Sequence, residues 1–341
     1  MEKIIHSLLP HHWINVNHAS DIAAARRAGQ RMAQALEFDD TRTGQLAIVI
    51  TEAATNMLKH AGEGRMLLTC VHADARSGIE VLALDCGPGI ANLGQALRDG
   101  VSSAGTAGTG LGALRRLSDQ FDVYAPRERG AVFFMRLWRD PAPGQSLPFG
   151  ALCLPIAGED ASGDAWGLAD QGRYVTLLMA DGLGHGVEAA AASRAALDTL
   201  ALQPGLAPGR QIEACHQALH GSRGAALAVA RIDTNEHELC FAGVGNISAC
   251  VIDDAKRRQM VSHNGIVGHN VRKVQEFTLA CPPGALVILH SDGISTQWDL
   301  EAYPGLAEYS PAIIAAVLLR DFSRGRDDAC VLVKRCDGVA P

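Results

Sequence analysis

Two spacings of apolar residues alternate along this chain, and the change between them outlines its parts. Ile22, Ala25, Gly29, Met32, Ala33 and Leu36 recur at the three-and-four spacing of one helix face. Leu46, Val49, Ala53 and Met57 do the same on a second helix, predicted over about residues 43–60. Ser20 is placed to cap the first helix, with Asp21 favoured in its first turn. A short strand is expected at residues 13–16. Runs of strand length follow: "RMLLTCVH" and "IEVLALD" around the polar turn "ADARSG", then "FDVYA" and "AVFFMRLW". Between the two pairs lie a loop rich in Gly and Thr and a helix near residues 111–117. The first half therefore reads as α+β, a largely antiparallel sheet with helices on one face.

The stretch "RDPAPGQSLPFG", residues 139–150, breaks both patterns with three prolines and two glycines. It predicts a first domain over 1–140, a linker over 141–150 and a second domain over 151–338, as suits a chain of 341 residues. Beyond the break, "YVTLLMAD", "AALAVARID", "LCFAGVG", "ISACVID", "ALVILHSD" and "ACVLVKR" have strand length and are punctuated by Gly, Asp and Asn. Helices are expected at 187–201, 208–220 and 311–322, the last opened by Ser310 and Pro311. Many strands with few helices predict two packed sheets with helices outside. No internal repeat is present.

Composition removes several function classes. The formal net charge of −7 speaks against binding nucleic acid by neutralising phosphates. No apolar stretch is long and clean enough to span a bilayer, and the N-terminal stretch, which lacks a sustained apolar run and a small-residue cleavage site, is not expected to be a secretion signal. Nine cysteines occur without a CxxC pair, and Cys70, Cys240, Cys250 and Cys330 sit in apolar runs as expected of buried free thiols. That usage predicts a reducing, cytoplasmic setting. The twin His11-His12 reads as surface.

Three separated pieces of the first half carry chemistry. Glu52 and Asn56 share a helix face, continued by Lys59 and His60. Alone, this stripe reads as a solvated face. In "LALDCGPGI" an apolar strand ends at Asp85, which can accept from an exocyclic amine, while Gly87 and Gly89 leave room for a planar ligand. "GTAGTGLG", residues 105–112, leads into a helix whose N-terminus offers backbone N–H groups to phosphate. In this order the three pieces resemble the GHKL (Bergerat-type) ATPase fold, an α/β sandwich. They are most similar to the RsbT-like switch kinases and anti-sigma factors of bacterial partner-switching modules, over residues 10–138. The resemblance implies ATP with Mg²⁺, Asn56 as the Mg²⁺ ligand and Asp85 as the adenine reader. It places Gly108, Gly110 and Gly112 at the phosphates and makes Glu52 the base that prepares an acceptor serine. One departure is Gly130-Ala131, where relatives often have Gly-Thr.

In the second half, carboxylates recur at strand ends: Asp164 in "GEDASGDAWG", Asp181-Gly182 in "MADGLGHG", Asp292-Gly293 in "SDGIS", and Asp327-Asp328 before the final run. One Asp-Gly is usually a turn. Four such places in two facing sheets would converge on one edge and repel, a cost that hard divalent cations relieve. With "GVGNIS" and "NGIVGH", these motifs resemble in order the PPM-type metal-dependent serine/threonine phosphatases, specifically their SpoIIE-like, RsbX-like branch with an αββα sandwich. The resemblance implies two Mn²⁺ or Mg²⁺ ions bridged by catalytic Asp181. Asp164, the Gly182 carbonyl, Asp292 and Asp327 would complete the ligands. Asp327 is preferred to Asp328 by alignment with the family ligand. His185 is given a structural role, Asn246 a turn, and Glu159 a water-mediated contact to metal.

The whole reads as a partner-switching regulator that dephosphorylates, and also phosphorylates, Ser/Thr of a STAS-domain antagonist. A sigma factor or a downstream phosphatase is a further partner in such modules. Two alternatives stay open: a phosphatase whose first domain only senses nucleotide, and an anti-sigma-type binding switch.

Overall fold

A computed structural model describes residues 3–6, 11–73, 76–97, 110–141, 147–254, 256–271 and 273–336. They form two compact units, one of His11–Ser146 and one of Leu147–Pro341 joined by Met1–Pro10. The first strand, β1 (Lys3–His6), therefore does not belong with the residues that follow it. It pairs antiparallel with β8 (Asp164–Asp170), His6 opposite Gly167 and Lys3 opposite Asp170. The sequence reading gave the whole of 1–140 to the first domain. The ladder groups on the outer edge of β8 would otherwise be unpaired, and β1 supplies their partners.

The His11–Ser146 unit contains β2 (His12–Val16), α1 (Ala19–Ala35), α2 (Asp40–His60), β3 (Gly64–Ala73), β4 (Arg76–Asp85), α3 (Leu93–Ala96), α4 (Gly110–Leu117), β5 (Gln120–Tyr124) and β6 (Ala131–Trp138). Its sheet is antiparallel throughout, in the order β2-β3-β4-β6-β5. Leu46, Ile50, Ala53 and Met57 of α2 pack on Met66, Ile79, Val81, Phe133 and Met135 of one sheet face. On the sheet, Glu80 and Arg136 are directly opposed and form a buried ion pair.

Helix starts differ from the expectation. His18, not Ser20, is the N-cap of α1, and Asp21 accepts from the backbone N–H groups of Asn17 (2.9 Å) and His18 (2.8 Å). α2 begins earlier than residue 43 because Asp39 caps it, accepting from Arg42 N at 2.7 Å. His11 is buried, not on the surface.

The second unit adds β7 (Phe149–Leu154), β9 (Tyr174–Gly182), α5 (Val187–Leu202), α6 (Pro208–Ala218), β10 (Ala225–Asp233), β11 (Glu238–Val244), β12 (Ser248–Asp253), β13 (Lys256–Met260), β14 (Phe277–Ala280), β15 (Leu286–His290), α7 (Pro311–Phe322) and β16 (Ala329–Arg335). One sheet runs β1-β8-β9-β10-β11-β14 and the other β13-β12-β15-β16-β7. Trp166, Leu177, Met179 and Phe241 of the first share one core with Val251, Val287, Leu289 and Leu332 of the second. α5 and α6 cover the outside of the first sheet with Ala192, Ala196, Leu200 and Ile212, while α7 packs on β7 and β16. The result is the αββα sandwich expected. β7 starts at Phe149, inside the span read as linker.

Candidate active sites

In the first unit, Glu52 and Asn56 lie one turn apart on α2, and Gly110 opens α4 directly against them. A Cβ at Gly110 would stand 2.9 Å from Glu52 Oε2 and 3.5 Å from Asn56 Oδ1. The Asn56 side-chain nitrogen is buried with no hydrogen-bond partner among the described residues, an arrangement that calls for a ligand or water. Asp85, at the end of β4, is buried, and its Oδ1 accepts from Gly87 N (2.9 Å) and Ala131 N (3.1 Å). Ala131 thus helps hold Asp85 through its backbone, without the hydroxyl a threonine would add.

The two glycines after Asp85 have a reason other than the one read from sequence. Gly89 has φ +71°, and a Cβ on it would lie 2.0 Å from the Pro126 carbonyl oxygen. A Cβ on Gly87 would lie 2.7 Å from that of Ala61. Both are needed for backbone packing before any ligand enters. Gly112 is buried within α4, and Gly108 lies outside the described residues.

The second site forms where both sheets end. Asp164 and Asp181 are directly opposed on β8 and β9. Asp292 follows β15, and Asp327 and Asp328 precede its neighbour β16. Glycine lets these turns close. A Cβ on Gly293 would fall 1.9 Å from the Asp328 carbonyl oxygen, and one on Gly182 2.2 Å from that of Ala189.

The charges sense one another across the sandwich. Burial, then the carboxylates of Asp292, Asp327 and Asp328, push Asp181 up to about 7. Burial first and Asp181 second drive Asp164 well above the carboxylate range. Asp292 rises through burial and Asp327. Asp164 Oδ2 is buried with no partner among the described residues.

Around this set the roles separate. Asp328 is buried, and its two oxygens accept from Ile156 N and Gly163 N, each at 2.7 Å. Asp327 is exposed, and its Oδ1 accepts from Asp328 N at 2.9 Å. Asn246, read as a turn residue, donates to Asp292 Oδ2 at 2.7 Å. His185 is not a core residue: its ring is mostly exposed, and Nδ1 lies 2.7 Å from Glu159 Oε1. No spacing signal marks that pair in the sequence, because the partners are 26 residues apart.

Among the described residues no three His, Cys, Asp or Glu side chains close into a ready cation cage. The donor set nonetheless fits a divalent cation. It is all oxygen, one oxygen is orphaned, and proton uptake is favoured where an ion would otherwise neutralise charge.

Comparison with known proteins identifies both units. Residues 16–137 match the family model of the histidine kinase-like ATPase domain, and residues 171–337 that of stage II sporulation protein E (SpoIIE). The serine/threonine-protein kinase RsbT of Bacillus subtilis is 34% identical over 118 residues, which cover 35% of this chain and 89% of RsbT. The chain belongs to the RsbT family of histidine kinase-like ATPase domains. Residues 171–337 carry a SpoIIE-type domain, whose relatives are serine/threonine phosphatases of the SpoIIE/PP2C class. The phosphoserine phosphatase RsbX of B. subtilis is 24% identical over 139 residues, 40% of this chain and 70% of RsbX. Among solved structures, a chain from the bacterial stressosome aligns with TM-score 0.53 and 27% identity over 56% of this chain and all of its own length. The PP2C phosphatase domain of B. subtilis SpoIIE, with a fragment of its regulatory domain, shares the fold at TM-score 0.50 and 18% identity, covering 95% of this chain and 97% of its own. All eight proposed nucleotide-site residues fall within the ATPase match. Asp181, Gly182, Asp292 and Asp327 fall within the SpoIIE match, and Asp164 precedes it.

Proposed function

We propose that this chain sets the phosphorylation state of a serine or threonine on a STAS-domain antagonist, removing phosphate at the second unit and adding it at the first. The observation that carries the proposal is the joint presence of two chemistries on one chain. One is the carboxylate set around Asp181; the other is Glu52 beside the Asn56 side-chain nitrogen, which is buried without a hydrogen-bond partner among the described residues. A relative that is a serine kinase and another that is a phosphoserine phosphatase make the same partner the economical reading.

At the phosphatase site, Asp164, Asp181, the Gly182 carbonyl, Asp292 and Asp327 would hold Mn²⁺ or Mg²⁺. When bound, such ions supply an activated water and charge neutralisation for in-line attack on phosphorus. Asn246 orients Asp292, and Asp328 ties the 156–163 loop to the start of β16 so that Asp164 stays in register with Asp181. At the kinase site, Asn56 would hold the Mg²⁺ of ATP and Asp85 would accept from the adenine amine. Glu52 would take the proton from the acceptor serine as its oxygen attacks the γ-phosphorus, the bond from that phosphorus to the bridging oxygen breaks and ADP leaves. A second reading keeps the first unit as a nucleotide sensor only. Ala131 favours it, because that position offers Asp85 a backbone N–H and no hydroxyl.

Both activities running freely on one substrate would consume ATP to no effect, so the proposal includes their alternation. With labelled ATP and a cognate STAS protein, Asp181→Ala should let phosphorylated partner accumulate. Adding Glu52→Ala should prevent it. If partner phosphate never appears in Asp181→Ala under any nucleotide condition, the kinase role fails and the sensor reading stands.

A further inference from the structure

At the end of the sandwich remote from the carboxylates, two thiols meet. Cys281 follows directly on β14, the last strand of the six-stranded sheet, and Cys336 directly on β16 of the five-stranded sheet. Their sulfur atoms are 2.6 Å apart, and both residues are buried at 1% and 5% exposure. The backbone fixes both sides of the contact. Cys281 N donates to the His237 carbonyl (2.7 Å), Cys336 N to that of Ala285 (2.8 Å), and Gly284 N to that of Cys336 (2.9 Å). The approach is thus set by two anchored chain segments rather than by flexible side chains.

We propose that Cys281 and Cys336 form a redox modification site, closing as a reversible disulfide that staples the two sheets together. Cys281 differs from five of the other cysteines. Burial pushes the Cys215, Cys240 and Cys250 thiols up to about 11 and raises Cys70 and Cys330 as well. Cys281 shifts the other way, through its hydrogen bond with Cys336 and then the nearby charges of Lys334 and Arg258. That shift favours its thiolate form.

The oxidant is hydrogen peroxide. The Cys281 thiolate attacks one peroxide oxygen, the O–O bond breaks, and a sulfenic acid and water result. The Cys336 sulfur then attacks the Cys281 sulfur, the S–O bond breaks, and a second water leaves. Two thiols lose two electrons in all, and one peroxide is reduced to two waters. A dithiol reductant reverses the step.

The link would close a loop of 55 residue steps, long enough to restrict the unfolded chain strongly. β16 separates the pair from Asp328, since Ala329 and Arg335 are its opposite ends. The staple therefore stabilises the sandwich and leaves the phosphatase site open.

The test treats the full chain with hydrogen peroxide, alkylates it under denaturing conditions and maps linked peptides. The expected result is a Cys281–Cys336 cross-link that dithiothreitol removes. The melting temperature should rise by about 5–10 °C, with unchanged hydrolysis of an aryl phosphate. Cys336→Ser should abolish both link and shift. Nine alkylatable thiols after oxidation, or a link joining Cys153 to Cys330 instead, would overturn the proposal. So would a full melting shift in Cys336→Ser. The peptide map needs only the wild-type protein, so the outcome does not depend on a variant folding.

Discussion

Asp181 shows how a single side chain can hold stability back for function. Its pKa is raised from 3.8 to about 7, so the folded protein keeps a proton over an interval where the unfolded chain has released it. Stability therefore falls as pH rises through that interval. In the metal-free protein, Asp181→Asn should raise the melting temperature above pH 7, and the gain should vanish as pH falls toward 4. Mn²⁺ should reverse the ranking. Scanning calorimetry in chelator and in Mn²⁺ checks this, and equal melting of the two proteins at every pH would contradict it. The neighbouring acids should separate as cleanly. Asp328→Ala strips partners from two backbone N–H groups and should cost about 2–5 kcal/mol of stability in denaturant unfolding. Asp327→Ala should not lower metal-free stability while abolishing calorimetric Mn²⁺ binding, because the side chain is exposed and, among the described residues, accepts only from the adjacent backbone N–H.

At the scale of elements, glycine decides where chemistry can be placed. Gly182 and Gly293 let two strand ends close on Ala189 and Asp328, and Gly110 brings α4 onto Glu52 and Asn56. Gly110→Ala would push a methyl into that contact. It should weaken binding of Mg²⁺ and a fluorescent ATP analogue by about tenfold or more without lowering the melting temperature of the unit. Unchanged affinity would place the nucleotide elsewhere. Strands with strong apolar runs, such as β6 and β9, were legible from spacing alone. β13 was not, because "KRRQM" is a polar edge strand with no apolar alternation. β7 was hidden by Pro148 and two glycines' worth of turn signal beside it. The acids at strand ends were legible as a set, since their repetition showed through the ordinary turn reading. The Glu159–His185 and Asn246–Asp292 contacts were not, because each joins distant segments that only the packed sandwich brings together.

At the scale of the molecule, the chain is two units with interleaved ends. The sheet that opens with β1 is completed only after the entire ATPase-like unit, which follows β1 and precedes β7 in sequence. Sequence spacing located the break near 139–150, yet gave the first residues to the wrong unit because a four-residue strand carries too little pattern to be assigned. Among the described residues, no helix is long and apolar enough to cross a membrane. The central claim is that the carboxylates gathered around Asp181 form a metal-dependent phosphomonoesterase. The direct measurement is the rate of phosphate release from a phosphoserine peptide by the full chain in Mn²⁺. Asp181→Ala and Asp292→Ala should each lower it by at least about a thousandfold, as should EDTA on the wild type, while both variants melt no lower than the metal-free wild type. Turnover at the wild-type rate in either variant, or in EDTA, would contradict the account.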